Sequence, residues 1–259
     1  MEMEHAVCRS KLVKSRGRSA NPAPTSGATL ASDRYMRFRN RADAGRQLAS
    51  LLHPRARDVP VIVGVVRGGG PVAAEIARAL SSPLEICVVR SLLTRTEPRL
   101  SIGAVAERGA MYLDPARAAK LSIGDEEVER LVAEQAAEVD RLAVVLREGP
   151  PLDLRDRDVI LVDDGIVTGS TVRAAIRSLR RVARSVELAV PVGATAVIER
   201  LRPFVDHLYC LVSEPSLTAI GARYDSFEAV SEAEVASLLA ATPRVARRRD
   251  EGNLRIIAG

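Results

Sequence analysis

The chain has 259 residues, 47% hydrophobic and 27% charged, the balance of a globular protein long enough to bury a sizeable core. Aromatic residues make up only 3%, with no Trp, which argues against a stacking platform for single-stranded nucleic acid; no apolar run approaches the ~20 residues that span a bilayer. The net charge of +5 sits at the two ends, because residues 1–33 hold five Lys/Arg against three Asp/Glu, residues 244–259 hold five Arg against two acids, and the span between is neutral.

Residues 1–33 are rich in Ser, Ala, Pro and Arg and show no apolar period, so a disordered basic tail is expected there. Met36, just before the first periodic segment, is a second candidate start. Residues 42–52 place Ala44, Leu48, Leu51 and Leu52 at helical spacing. Residues 59–66 form a β-branched run closed by Arg67-Gly68-Gly69-Gly70-Pro71. That pattern predicts a buried strand, a tight loop, then a helix over 71–80. A second buried strand is expected over 84–89, and the mixed Thr, Arg, Glu and Pro of 91–99 reads as a loop. Residues 100–106 and 110–113 predict a hairpin about Glu107-Arg108-Gly109. Gly124 opens a helix to about Arg147 whose stripe is Val128, Val132, Gln135, Val139, Leu142 and Leu146. About three heptads fit, which suits packing on its own domain better than a coiled coil.

Further strands are expected at 159–162, 186–190 and 208–212, with helices at 171–182, 194–201 and 232–239. Residues 244–259 read as a basic C-terminal tail, leaving one folded domain over 34–243. Apolar strands alternating with helices imply an α/β fold, a mostly parallel twisted sheet covered by helices on both faces. In such sheets ligands bind beyond the carboxyl ends of the strands. Residues 67–70 and 163–171 each follow a strand and precede a helix, so both are expected on that edge.

The cysteines (Cys8, Cys87, Cys210) are odd in number and lack a Cys-x-x-Cys pair. Reduced thiols in a cytoplasm fit them better than a disulfide framework or a zinc site. No basic-then-apolar leader opens the chain, which agrees with a cytoplasmic location. The histidines (His5, His53, His207) have no ligand neighbour at i+4, so histidine-centred chemistry is a poor fit.

The run Val159-Ile160-Leu161-Val162-Asp163-Asp164-Gly165-Ile166-Val167-Thr168-Gly169-Ser170-Thr171 carries the most chemistry. Two carboxylates appear where a buried strand leaves the sheet, expected at an exposed loop end. Thr168, Gly169, Ser170 and Thr171 follow at a helix start, where free amides and the helix dipole make a phosphate cradle. Carboxylates beside that cradle call for ribose hydroxyls or a magnesium ion as partners. The spacing separates a phosphate end from a sugar end.

This run resembles the phosphoribosyl pyrophosphate (PRPP) signature of the type I phosphoribosyltransferases at all thirteen positions. No Gly-Lys-Ser/Thr is present, so it does not resemble the nucleotide P-loop. Residues 65–71 are similar to the family's pyrophosphate loop, where a non-proline cis peptide is often found. Residues 37–45, 100–107, 214–215 and 224–227 resemble a bacterial subgroup of stand-alone phosphoribosyltransferase-like proteins. The resemblance spans 37–239 and implies the type I fold, with a small hood built from the terminal parts of the domain.

It also implies roles. Asp163 and Asp164 would hold the ribose hydroxyls as the catalytic acidic pair, and Mg²⁺ directly or through hydroxyls and water. Val167, Thr168, Gly169, Ser170 and Thr171 would grip the 5′-phosphate, and Arg67, Gly68 and Gly69 the pyrophosphate. A flexible loop bearing Arg90, Arg95 and Arg99 would close over them. The implied reaction moves phosphoribose from PRPP to a nitrogenous acceptor and releases pyrophosphate; a PRPP-binding regulator or a relative without turnover is the alternative. A homodimer is compatible with the resemblance, while nucleic acid and membrane are not expected partners. Three positions depart from the family. Ser91 replaces a subgroup lysine, and Ser216 and Leu217 stand where aromatics are usual. Val167 replaces the aspartate of the hypoxanthine–guanine enzymes and cannot move a proton.

Overall fold

The computed structural model describes residues 37–52, 59–95 and 100–242, together with the backbone of 247–250 and 253–256. The expected N-terminal tail, Met36, Cys8, His5, His53 and Arg99 lie outside the described residues. Within the segment read as a C-terminal tail, β8 (Arg247–Asp250) and β9 (Asn253–Ile256) pair antiparallel as a separate two-stranded sheet.

The main sheet has seven strands: β1 (Val61–Val66), β2 (Leu84–Leu93), β3 (Ser101–Ala106), β4 (Ala110–Leu113), β5 (Asp158–Val162), β6 (Ser185–Ala194) and β7 (His207–Glu214). Their order is β4-β3-β2-β1-β5-β6-β7. The five strands from β2 to β7 in that order run parallel, and β3 and β4 add an antiparallel edge. The mostly parallel sheet expected from the apolar runs is therefore present.

Alternation along each strand explains why the runs are apolar throughout. Val61, Val63, Val159 and Leu161 point to a core shared with α5 (Ser170–Leu179) and α6 (Thr195–Leu201). Ile62, Ile160 and Val162 point the other way, onto α1 (Arg41–Ala49) and α2 (Gly69–Leu80). Ile86, Val88 and Ile102 meet α3 (Pro115–Lys120) and α4 (Asp125–Val145), and α7 (Glu232–Ala240) adds Val235 there. Helices cover both faces, so a strand with one polar face would bury it unpaired.

Three sequence expectations change. Residues 91–93, read as part of a loop, continue β2, because β3 supplies an antiparallel partner: Ser91 faces Ala104 and Leu92 faces Gly103. The six residues of α3 were not expected; Asp114 starts them by accepting from Arg117 N–H at 3.0 Å. On α4 the buried positions are Leu131, Val139 and Leu142, so the expected stripe is turned by one residue at its start.

The terminal parts of the domain meet. Phe38 bridges Tyr224 in parallel, its N–H donating to Arg223 O at 2.9 Å and its carbonyl accepting from Asp225 N–H at 2.8 Å. Together they form the hood expected from the resemblance, and it sits over the carboxyl end of β5.

Candidate active site

β1 and β5 are neighbours in parallel register, with Gly64 opposite Val162. The two loaded loops therefore leave the same edge of the sheet side by side. The Val66–Arg67 peptide bond that opens the first loop is cis, at the place the resemblance implied. Glycines are needed there for a reason the sequence did not disclose. A Cβ on Gly68 would collide with the Asp164 carboxylate, and one on Gly69 would lie 2.5 Å from Val162 O. Close packing of one loop on the other excludes side chains at both positions.

The second loop is fastened to the sheet by Ile166, whose N–H donates to Val192 O at 2.9 Å and whose carbonyl accepts from Ala194 N–H at 2.8 Å. Gly169 follows with φ of +81°, the left-handed region where glycine is favoured. It caps α5, and the first amide to close a helical bond is Arg173 N–H, on Gly169 O at 2.9 Å. The N–H groups of Ser170, Thr171 and Val172 are thus free donors at a positive helix end. Thr168 is exposed, Val167 and Thr171 are half-buried, and Ser170 is buried. Val167 packs on the core, as its side chain dictates.

The acidic pair is not exposed, contrary to expectation: Asp163 is 8% and Asp164 7% exposed. Arg41 Nε donates to Asp164 Oδ2 at 2.7 Å, and Asp164 N–H donates to Asp163 Oδ1 at 2.9 Å. Among the described residues no other residue donates to Asp163 Oδ2 or Asp164 Oδ1, although the Asp164 N–H also favours its own ionised carboxyl. Burial first, then the adjacent carboxylate, pushes the Asp163 carboxyl well above the usual range. Burial raises Asp164 as well, with Arg41 opposing it. Tyr224 O–H donates to Asp164 O at 2.7 Å, and burial followed by the Asp164 charge pushes that phenol up.

The basic residues divide. Arg67 is exposed on the first loop. The Glu138 carboxyl is held below its ordinary range by Arg141 first, and by Arg90 and Arg67 after it. Arg90 Nε donates to Gln135 Oε1 at 3.2 Å. Arg95 turns to the acidic side of α4, with Nη2 donating to Glu134 Oε1 at 2.5 Å. Thr94 N–H donates to Leu100 O at 2.9 Å, and Leu100 N–H returns to Thr94 Oγ1 at 2.9 Å.

Of the departing positions, Ser91 lies in a strand, and Leu217 is a buried core residue. Burial pushes the thiols of Cys87 and Cys210 up to about 12, so neither is an activated nucleophile. No helix among the described residues is long and apolar enough to cross a membrane. Among the described residues no cluster of three or more His, Cys, Asp or Glu could hold a metal alone. Two carboxylates, one already paired with Arg41, suit a Mg²⁺ ion that takes most of its ligands from substrate phosphates and water.

Sequence reasoning did not assign Arg41, Tyr224, Phe227, Gln135 or Glu138 to the site. The first three lie in stretches that carried the subgroup resemblance, which was the available signal. The α4 residues carried none beyond the helical stripe.

This arrangement has known counterparts. A family model described as the phosphoribosyl transferase domain matches residues 32–203. Two Mycobacterium tuberculosis proteins, from strains CDC 1551 and H37Rv and provisionally named phosphoribosyl transferases, are each 35% identical over 204 residues. The match covers 78% of this chain and 46% of theirs, so the chain spans about half the length of these relatives. The crystal structure of TT1426 from Thermus thermophilus is also similar, with a TM-score of 0.66 and 35% identity over 80% of this chain and 99% of that one.

Proposed function

The chain belongs to the phosphoribosyltransferase domain family, and on that premise we propose that it transfers 5-phosphoribose from PRPP to a nitrogenous acceptor, releasing pyrophosphate. The observation that carries this reading is the contact between the two loops. Gly68 lies so close to Asp164 that no side chain fits, and this supports reading the two loops as one site.

In this reading the N–H groups of Ser170, Thr171 and Val172, with the hydroxyls of Thr168, Ser170 and Thr171, receive the 5′-phosphate. Asp163 and Asp164 accept from the ribose hydroxyls. Arg67 and the Gly68–Gly69 backbone face the pyrophosphate, with Arg90 beside them. As the bond at C1 lengthens, positive charge grows on the ring and negative charge on the leaving group. The carboxylates stabilise the first and the arginines the second, and fixed geometry supplies the remaining advantage. A Mg²⁺ ion carried with PRPP would be held on the Asp163 side and would add charge for the leaving pyrophosphate.

Calorimetric titration with PRPP and Mg²⁺ tests this. Binding is expected, and Thr171→Ala should weaken it roughly ten- to a hundredfold, the loss of one charge-assisted hydrogen bond. No heat and no rise in melting temperature at millimolar PRPP would sink the assignment. One observation favours a second reading, binding without turnover: Val167 packs on the core and Ser91 lies in a strand, so neither supplies a proton donor or a cation. PRPP binding without pyrophosphate release across a panel of nitrogenous bases would select that reading.

A further inference from the structure

We propose that Arg41 is a positioning residue for the sugar end of the site, acting through Asp164; the proposal rests on the phosphoribosyltransferase reading above. Asn40 Oδ1 accepts from Asp43 N–H at 2.9 Å and so starts α1 with Arg41 as its first residue. That side chain then reaches across 123 positions of sequence to Asp164 Oδ2.

Three contacts fix the guanidinium. Nε donates to Asp164 at 2.7 Å, Nη1 donates to Glu228 O at 2.6 Å, and Cζ lies 3.7 Å above the Phe227 ring centroid. The side chains of Arg41 and Asp164 are only 12% and 9% exposed, so water cannot take over the role of either partner. Lys could keep the charge, but it has no planar face to lay on Phe227 and no fork to meet Asp164 and Glu228 together.

Asp164 is thereby held at three points. Arg41 takes Oδ2, Tyr224 O–H holds the main-chain carbonyl, and the Gly68 backbone closes one side. Among the described residues no other residue donates to Oδ1, which is the oxygen left for a ligand hydroxyl. The cation also offsets the repulsion that two adjacent carboxylates feel in a buried site.

A purely structural role would be to fasten α1 to the segment after β7. That fastening exists without Arg41. Phe38 N–H donates to Arg223 O, Asp225 N–H to Phe38 O, and Ser226 N–H to Arg39 O; Arg37 pairs with Asp225 at 2.9 Å. Arg41 adds to that fastening through Glu228 O and Phe227, and beyond it reaches the carboxylate of the site.

The test is the preference for ribose 5-phosphate over 2-deoxyribose 5-phosphate, measured by calorimetry on the full chain and on R41Q and R41K, with circular dichroism and melting curves checking the fold. R41Q should reduce the preference about tenfold or more, while affinity for the deoxy sugar stays within about twofold. R41K, keeping the charge, should restore part of the preference. Should R41Q not fold, R41K alone carries the comparison, with a smaller drop expected in the same direction. A preference unchanged in a folded variant, or an equal loss for both sugars, would overturn the proposal. A parent protein that binds neither sugar phosphate would instead overturn the phosphoribosyltransferase reading beneath it.

Discussion

Arg147 is buried and Arg41 nearly so, and both meet carboxylates, yet the two sites are built on opposite principles. Arg147 joins Glu85 through Nε at 2.9 Å and Glu107 through Nη2 at 2.8 Å, and donates to Ile86 O and Ala143 O. Glu85 also accepts from the N–H groups of Ile86 and Leu152, and Glu107 from that of Val88. Donors and acceptors are matched by the chain itself, and the cluster ties the end of α4 to β2 and the β3–β4 turn. At Asp163 and Asp164 the carboxylate oxygens outnumber the donors among the described residues. A buried charge marks a ligand site where the protein leaves it short of partners, and a structural joint where it does not.

The largest effect that sharpens this contrast is expected at the joint. Arg147→Met would strand two buried carboxylates and should cost about 3–5 kcal/mol in urea unfolding. PRPP affinity of the folded protein should not change. A loss under about 1 kcal/mol, the scale of an exposed pair, would erase the distinction between the two sites.

Asp163→Asn should act with the opposite sign on stability. The folded carboxyl is raised above its unfolded value of about 3.9, so the folded state binds the proton more tightly. Its contribution therefore favours folding at low pH and turns costly as pH rises from about 4 toward the folded value. Urea unfolding from pH 4 to 7 should show the variant gaining on the parent as pH rises. PRPP affinity should meanwhile fall about tenfold or more. A variant that tracked the parent at every pH would mean that the carboxylate is not short of donors.

The smallest effect concerns the phosphate end. A Cβ on Gly169 would lie 2.8 Å from Val197 Cγ1 on α6, and φ there is left-handed. Gly169→Ala should cost about 1 kcal/mol or more of stability as well as ligand affinity. Gly70→Ala, whose Cβ would meet only Val235 at 3.6 Å, should be neutral or slightly stabilising in α2. Equal melting temperatures for the two variants would break the comparison.

Most of the fold was legible because covered parallel strands leave an unambiguous trace. Ile62, Val63, Ile160 and Leu161 are apolar at consecutive positions, and only a sheet buried on both faces asks for that. The cap of α5 was legible for a local reason, since a glycine cap and the following amides need nothing from elsewhere in the chain. The extension of β2 past Arg90 was not legible, because Ser91 takes its strand conformation from β3 rather than from its own preference. The turned stripe of α4 has a similar origin, since Leu131 rather than Val132 faces the sheet it happens to cross.

By itself, the order of residues determined which two loops share the carboxyl edge and which of them opens on the amides of a helix start. These follow from strand–loop–helix succession, a property of neighbours in the chain. The tertiary structure alone decided how the acidic pair is treated. Asp164 is covered by Tyr224 from the segment after β7, and the cation that meets it comes from the first residue of α1. The electrostatics of a carboxylate depend on what covers it and what charge stands beside it, and both are supplied here by segments more than fifty residues away.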